Sequence, residues 1–171
     1  MRNIAAQAGG LGVFAHFRTP TPLDKQTVIR MNLDTLYSYA VFDMAAGPVT
    51  LTVPKVEDGR YVAVQLVNQD HLTPMVLHEG TYTLTEEMIG TRYLAAFARV
   101  FVDASDPADL PKAHAVQDAI IASQAAPGTL ELPDWDKTTL DAARKALLDL
   151  GALGTAGFGV QLNQFVQRRL A

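Results

Sequence analysis

The five residues Val49-Thr50-Leu51-Thr52-Val53 alternate strictly between apolar side chains and threonine, with Gly47-Pro48 before them and Pro54 after. This run fits a strand with one buried face, because successive side chains of a strand point to opposite sides. The flanking Gly and Pro residues keep it short. Similar segments recur around it. Leu36 to Asp43 is rich in Tyr, Val and Phe. Arg60 to Gln69 divides into one face of Val62, Val64, Leu66 and Asn68 and another of Tyr61, Ala63, Gln65 and Val67. Pro74 to Leu77, Thr81 to Leu84 and Arg92 to Val102 follow, with turns at Glu57-Asp58-Gly59 and His78-Glu79-Gly80. About six short strands with frequent turns predict a sandwich rather than a parallel sheet.

Past residue 103 the period changes. Residues 109–124 read as a helix, with Asp106-Pro107 and Asp109 as caps, ending before Pro127-Gly128. Thr138-x-x-Asp141 resembles a capping box opening a helix whose Leu140, Ala143, Leu147 and Leu150 share a face, and Gly151 stops it. Phe158, Leu162, Phe165, Val166 and Leu170 mark a last amphipathic helix, expected to pack on the sandwich or on a second subunit. Residues 3–8 fit the last turns of a helix closed by Gly9-Gly10. Thr19-Pro20-Thr21-Pro22 is too stiff for helix interior and is expected to cross the surface. The fold class is therefore α+β: an antiparallel β-sandwich over about 27–102 followed by a C-terminal helical extension over about 107–171. At 171 residues, one domain spanning 1–171 suffices.

Composition excludes several functions. Fourteen basic and 18 acidic residues leave a net charge of -4, which offers no electrostatic footprint for nucleic acid. No cysteine is present, so disulfides, thiolate metal sites and thiol nucleophiles are absent. No apolar run approaches the roughly 18 residues of a membrane helix, and no intact signal peptide opens the chain. Gly9-Gly10-Leu11-Gly12 lacks a preceding strand and a following lysine. The glycines at 151, 154, 157 and 159 follow a helix rather than a strand, so neither set reads as a nucleotide loop. No cofactor is implied.

The polar candidates come from three places. Arg30, Asn32 and Asp34 would share one face if Val28 to Ser38 were extended throughout. Asn68-Gln69-Asp70-His71 breaks a β pattern into polar residues, and Arg99 lies in phase with Tyr93, Phe97 and Phe101 on a face that reads as apolar. A buried arginine requires a partner, and Asp34 and Asp70 are the candidates. Read as a site, these residues would form a polar cleft at one end of the sandwich. Arg30, Asn32, Asn68 and Arg99 would bind a small polar or anionic ligand. Asp34, Asp70 and His71 would supply acid or base chemistry, His71 being the side chain that titrates near neutrality. Read structurally, the same residues form a buried network that sets strand register. Metal spacing is lacking: His16, His78 and His114 are scattered, and Asp34, Asp70 and His71 form no ligand motif. Ser38 and Ser105 lack the Gly-x-Ser-x-Gly setting of a nucleophile.

Several runs together carry a resemblance: Pro20-Thr21-Pro22, Val28-Ile29-Arg30-x-Asn32-x-Asp34-Thr35-Leu36-Tyr37-Ser38, Gly47-Pro48-Val49, Gly59-Arg60-Tyr61 and Asn68-x-Asp70-His71. To these are added Gly90-Thr91-Arg92-Tyr93, Val102-Asp103, His114-x-x-Gln117-Asp118-Ala119-Ile120 and Pro133-x-Trp135-Asp136. The chain resembles the family called domain of unknown function 1254 over roughly residues 10–150. The resemblance implies an immunoglobulin-like sandwich with attached helices, in bacterial proteins that often carry export signals and continue into a jelly-roll region numbered 1214. Much or all of that region is expected to be missing here, which would leave half of any site between the two domains. Leu33 departs from the family pattern, where arginine is common, and this weakens an anion-binding role there. The resemblance implies no activity, and cytoplasmic and periplasmic locations are both compatible with it. Three functions remain open: a small-ligand-binding or oligomer-forming module, an acid/base or hydrolase-like enzyme, and a structural or interaction domain.

Overall fold

The structure is a computed structural model and describes residues 1–22, 24, 32–56 and 59–152. These fall into two compact units, Met1–Glu131 and Leu132–Ala171.

The first unit carries both sheets. Its elements are α1 (Arg2–Ala8), β1 (Ala15–His16), β2 (Thr35–Asp43), β3 (Val49–Val53), β4 (Val62–Asn68), β5 (Met75–Leu77), β6 (Gly80–Leu84), α2 (Glu86–Ile89), β7 (Tyr93–Phe101), α3 (Asp109–Asp118) and β8 (Ile121–Gln124). One sheet has the order β1-β2-β7-β4-β5 and the other β6-β3-β8, with every pairing antiparallel. The two sheets close on one apolar core. The larger contributes Leu36, Phe42, Val64, Leu66, Ala96 and Val100, and the smaller Val49, Leu51, Val53 and Leu84. Leu51 is fully buried. Burying a side chain of this kind stabilises by about 1.5–3 kcal/mol, and truncating it to alanine costs about 2–5 kcal/mol.

The strand pattern read from sequence holds for β2 through β7. The α+β class holds with it: two antiparallel sheets with helices, including a C-terminal one. In β4, Val62, Val64, Leu66 and Asn68 face inward, as the alternation requires. Gly9 ends α1 in the left-handed conformation at φ 79, with its N–H and that of Gly10 returning to Ala6 and Ala5 carbonyls.

Three local expectations are corrected. The helix expected over 109–124 stops at Asp118, and Ile121–Gln124 is a strand paired with β3. An open edge on β3 and a β-branched Ile120-Ile121 pair outweigh continued helix there. The extended face of Arg30, Asn32 and Asp34 does not form through Asn32–Asp34. The chain bends at 33–34 and the strand begins at Thr35. Arg30 lies outside the described residues. The helix expected from Thr138 is instead capped by Asp136, whose Oδ2 accepts from the Thr139 N–H at 2.7 Å and from its hydroxyl.

The second unit contains α4 (Lys137–Ala152). Lys137–Asp141 and Lys145–Asp149 ion pairs line its polar side at i, i+4 spacing. Leu140, Leu147 and Leu150 are exposed. The amphipathic segment from Phe158 to Leu170 lies outside the described residues. No helix among the described residues is long and apolar enough to cross a membrane.

Candidate functional site

Strand register decides which polar residues can meet. Thr35 faces Phe101 across β2 and β7, whereas Asn68 faces Leu94 across β4 and β7. Asn32 and Asp34 therefore lie at one end of β7 and Asn68 to His71 at the other, roughly 20 Å apart along the strand. The single polar cleft expected from sequence is not formed from these two groups.

Each group instead shapes its own bend. Asn32 Oδ1 accepts from the backbone N–H of Asp34 (2.8 Å) and Thr35 (2.9 Å) and from the Thr35 hydroxyl (3.0 Å), which turns the chain into β2. Buried Asn68 Oδ1 accepts from the N–H groups of Asp70 and Leu72, both at 3.0 Å, and its Nδ2 donates to the Ile89 carbonyl at 3.0 Å. His71 takes φ 60 at the tip of this loop. Asp34, Asp70 and His71 are all exposed. Among the described residues, no group of three or more His, Asp or Glu side chains is placed to hold a metal ion.

Three charged networks were not legible as sites in the sequence. Arg60 donates to both carboxylate oxygens of Asp109 at 2.7 and 2.5 Å and to the Phe101 carbonyl at 2.8 Å. The two side chains are only 5% and 9% exposed. Arg60 holds the Asp109 carboxyl well below the usual carboxylate range, aided by the Asp103 N–H. Beside this pair, Gly59, Tyr61, Phe101, Asp103 and Asp106 line a cleft of about 490 Å³.

At the other end, Arg92 donates to Asp43 through Nε and Nη2, both at 3.0 Å, and to Glu131 at 2.9 Å. Its hydrogen bonds lower the Asp43 pKa, outweighing the burial that would raise it. Asp43 also accepts from the Thr129 N–H at 3.1 Å, and Tyr93 donates to the Thr129 carbonyl at 2.9 Å. Residues 128–131 thus lie over Tyr93 as a strap.

The third network surrounds α3. Gln117, fully buried, donates through Nε2 to the Phe17 and Tyr37 carbonyls and to Ser38 Oγ. Ser38 Oγ shares a 2.8 Å hydrogen bond with His16 Nδ1. Burial, followed by nearby Arg18, lowers the His16 pKa. Ser38 has no exposed surface, so this Ser–His contact is no nucleophilic site. The only sequence signal for these networks lay in Gly59-Arg60-Tyr61, Gly90-Thr91-Arg92-Tyr93 and His114-x-x-Gln117-Asp118, where single residues had no visible partner.

Arg99 differs from Arg60 and Arg92. Inward positions of β7 are Leu94, Ala96, Ala98 and Val100, all buried. Arg99 points from the opposite, outer face and is half-buried rather than a core residue. Its Nε donates to the Thr35 hydroxyl at 3.4 Å, and its guanidinium lies 5.4 Å from the Tyr37 ring centroid. The expected ion pair with Asp34 or Asp70 is absent among the described residues; ring contact and half-exposure take its place. Around it the rings continue: Tyr37–Tyr39 at 5.8 Å, Tyr39–Phe97 at 5.3 Å and Phe17–Tyr39 at 5.0 Å. Phe17, Tyr61 and Phe101 are 42%, 49% and 41% exposed, so this half of the outer face stays open.

The family comparison takes in the quoted runs from Pro20 to His71, and those from Gly90 onwards lie outside it. Residues 11–86 match the family described as "Protein of unknown function (DUF1254)". Over these residues the chain is similar to that family. The DUF1254 match takes in β1 to β6 and stops before β7, so Arg99 and Gln117 lie beyond it. No curated protein matches the chain. Among solved structures, the chain is similar to the VPA0106 protein from Vibrio parahaemolyticus, at 18% identity and a TM-score of 0.52. That likeness covers 61% of this chain and 33% of the other, so the chain spans about a third of that protein's length. At this identity the likeness concerns the fold alone.

Proposed function

We propose that the chain is a small-ligand-binding β-sandwich module whose binding surface is the open half of the outer face of the five-stranded sheet. One observation carries the reading. Tyr37, Tyr39, Phe97 and Phe17 form a continuous ring array next to exposed Phe101 and Tyr61. Rings in that arrangement offer flat, rigid area to a ligand at small entropic cost. The roughly 490 Å³ cleft bounded by Tyr61 and Phe101 adjoins the same surface. Asp34, Asp70 and His71 do not converge, so the acid/base reading lacks the geometry a reaction needs.

Titration of the full chain with a panel of small aromatic compounds, followed by aromatic NMR resonances, tests this. Shifts gathered on Tyr37, Tyr39 and Phe97 are expected. Shifts confined to the Asn68–His71 loop, or none at millimolar concentrations, would overturn it. The same exposed rings also favour a second reading, an oligomer-forming face. A native mass spectrum reporting dimers that dissociate in Phe101→Ser or Tyr61→Ser would favour that reading over the first.

A further inference from the structure

Resting on that reading, we propose that the ligand is a planar organic anion, an aromatic carboxylate, with Arg99 as its charged anchor. Arg18 pairs with Asp118, Arg60 with Asp109 and Arg92 with Asp43 and Glu131. Arg99 meets no carboxylate among the described residues. Among the described residues, its one hydrogen bond to protein is the long contact from Nε to Thr35. The Nη1 and Nη2 groups, which form the two-pronged edge that matches a carboxylate, have no protein acceptor among the described residues.

The neighbours favour the same chemistry. The outer-face positions flanking Arg99 on β7 and facing it on β2 and β4 are Phe97, Phe101, Tyr37 and Ala63, with no acid among them. Tyr37, Tyr39 and Phe97 supply a stack for a ring. The nearest acids in sequence after Phe101 already have partners. Asp103 accepts from the Ser105 hydroxyl and N–H, and Asp109 from Arg60. Asp103, whose partners are neutral, would repel an anion at the Phe101 end and orient its carboxylate towards Arg99. A neutral aromatic would forgo the charged contact, and an aliphatic acid would forgo the stack.

The test compares benzoate, benzyl alcohol and acetate by NMR titration of the full chain, in the natural sequence and in Arg99→Gln and Arg99→Lys. Benzoate is expected to bind most tightly, with shifts on Tyr37 and Phe97. Arg99→Gln should weaken benzoate about tenfold or more and leave benzyl alcohol unchanged, and Arg99→Lys should fall between. A thermal midpoint unchanged in Arg99→Gln separates lost binding from lost folding. Equal binding of benzyl alcohol and benzoate, with no effect of Arg99→Gln, would overturn the anion class while leaving the ring surface intact. No shift on the ring array with any probe would overturn both. Benzoate shifts gathered on Arg60 and Asp106 would overturn the role of Arg99.

Discussion

Arg92 stands at one end of β7 and Arg99 near the other, and their surroundings are opposite. Arg92 meets two carboxylates and the Thr129 side chain, and the 128–131 strap it holds lies over Tyr93, which is 2% exposed. Arg99 meets rings and one hydroxyl, and the sheet around it stays open. The strap satisfies its polar groups locally, so that half of the outer face has become part of the folded body. The other half retains a cation and ring faces that the described residues do not themselves complete. Paired arginines therefore mark what holds the fold, and on the proposed reading the arginine left among rings marks the surface available to a ligand.

The comparison can be broken most directly at the paired arginines. Arg60→Met removes the cation from buried Asp109 and is expected to lower the thermal midpoint by roughly 10 °C. A loss no greater than that of Arg99→Gln would erase the distinction between paired and available arginines. Gly128→Ala comes next. Its φ is +73, and an added Cβ would sit 2.5 Å from the Asp43 Cβ and Oδ2. We expect a loss of about 1–3 kcal/mol by urea denaturation, with increased exposure of Tyr93 in its fluorescence. A neutral result would mean that the strap does not need the Asp43 contact.

Acid titration sharpens the comparison further. Asp109 and Asp43 both have lowered folded values, because arginine hydrogen bonds favour their charged forms. Below about pH 3.9, the ordinary carboxylate value, the unfolded chain binds protons that the folded chain resists. Their stabilisation is therefore full above that pH and is lost as pH falls towards the lowered values. His16, also lowered, adds an earlier loss that begins as pH falls below about 6.5. Thermal midpoints measured from pH 7 to 2 should fall in these two windows, and Asp109→Asn should flatten the lower one. An unchanged lower window in Asp109→Asn would remove that ion pair from the account. The smallest effect is expected for Arg99→Gln, within about 0.5 kcal/mol of the natural chain. A larger loss would make Arg99 structural and weaken the contrast.

Periodicity made most of the sandwich legible. The alternation in Val49–Val53 named a strand and its buried face, and that in Val62–Asn68 named a strand and its two faces, of which the structure buries the Val62, Val64, Leu66 and Asn68 row. The two strands it missed are short or contextual: β1 has two residues, and β8 follows a helix with no turn residue between Asp118 and Ile121. Apparent polarity misled at Asn32 and Asn68, because side chains that cap bends resemble side chains that bind ligands. Apparent apolarity misled at Arg99, because a solvent-side row of rings reads like a core row.

By itself the sequence determined the strand segments from β2 to β7, the inward residues of β3, the α+β class and the turns between those strands. Those properties depend on neighbours a few residues away. Only the tertiary structure decided that β7 lies between β2 and β4, and so placed Asp34 and Asp70 at opposite ends. It also joined Arg60 to Asp109 and Arg92 to Asp43, each pair separated by 49 residues. Such pairings depend on strand register and chain crossing, which local side-chain periodicity does not encode.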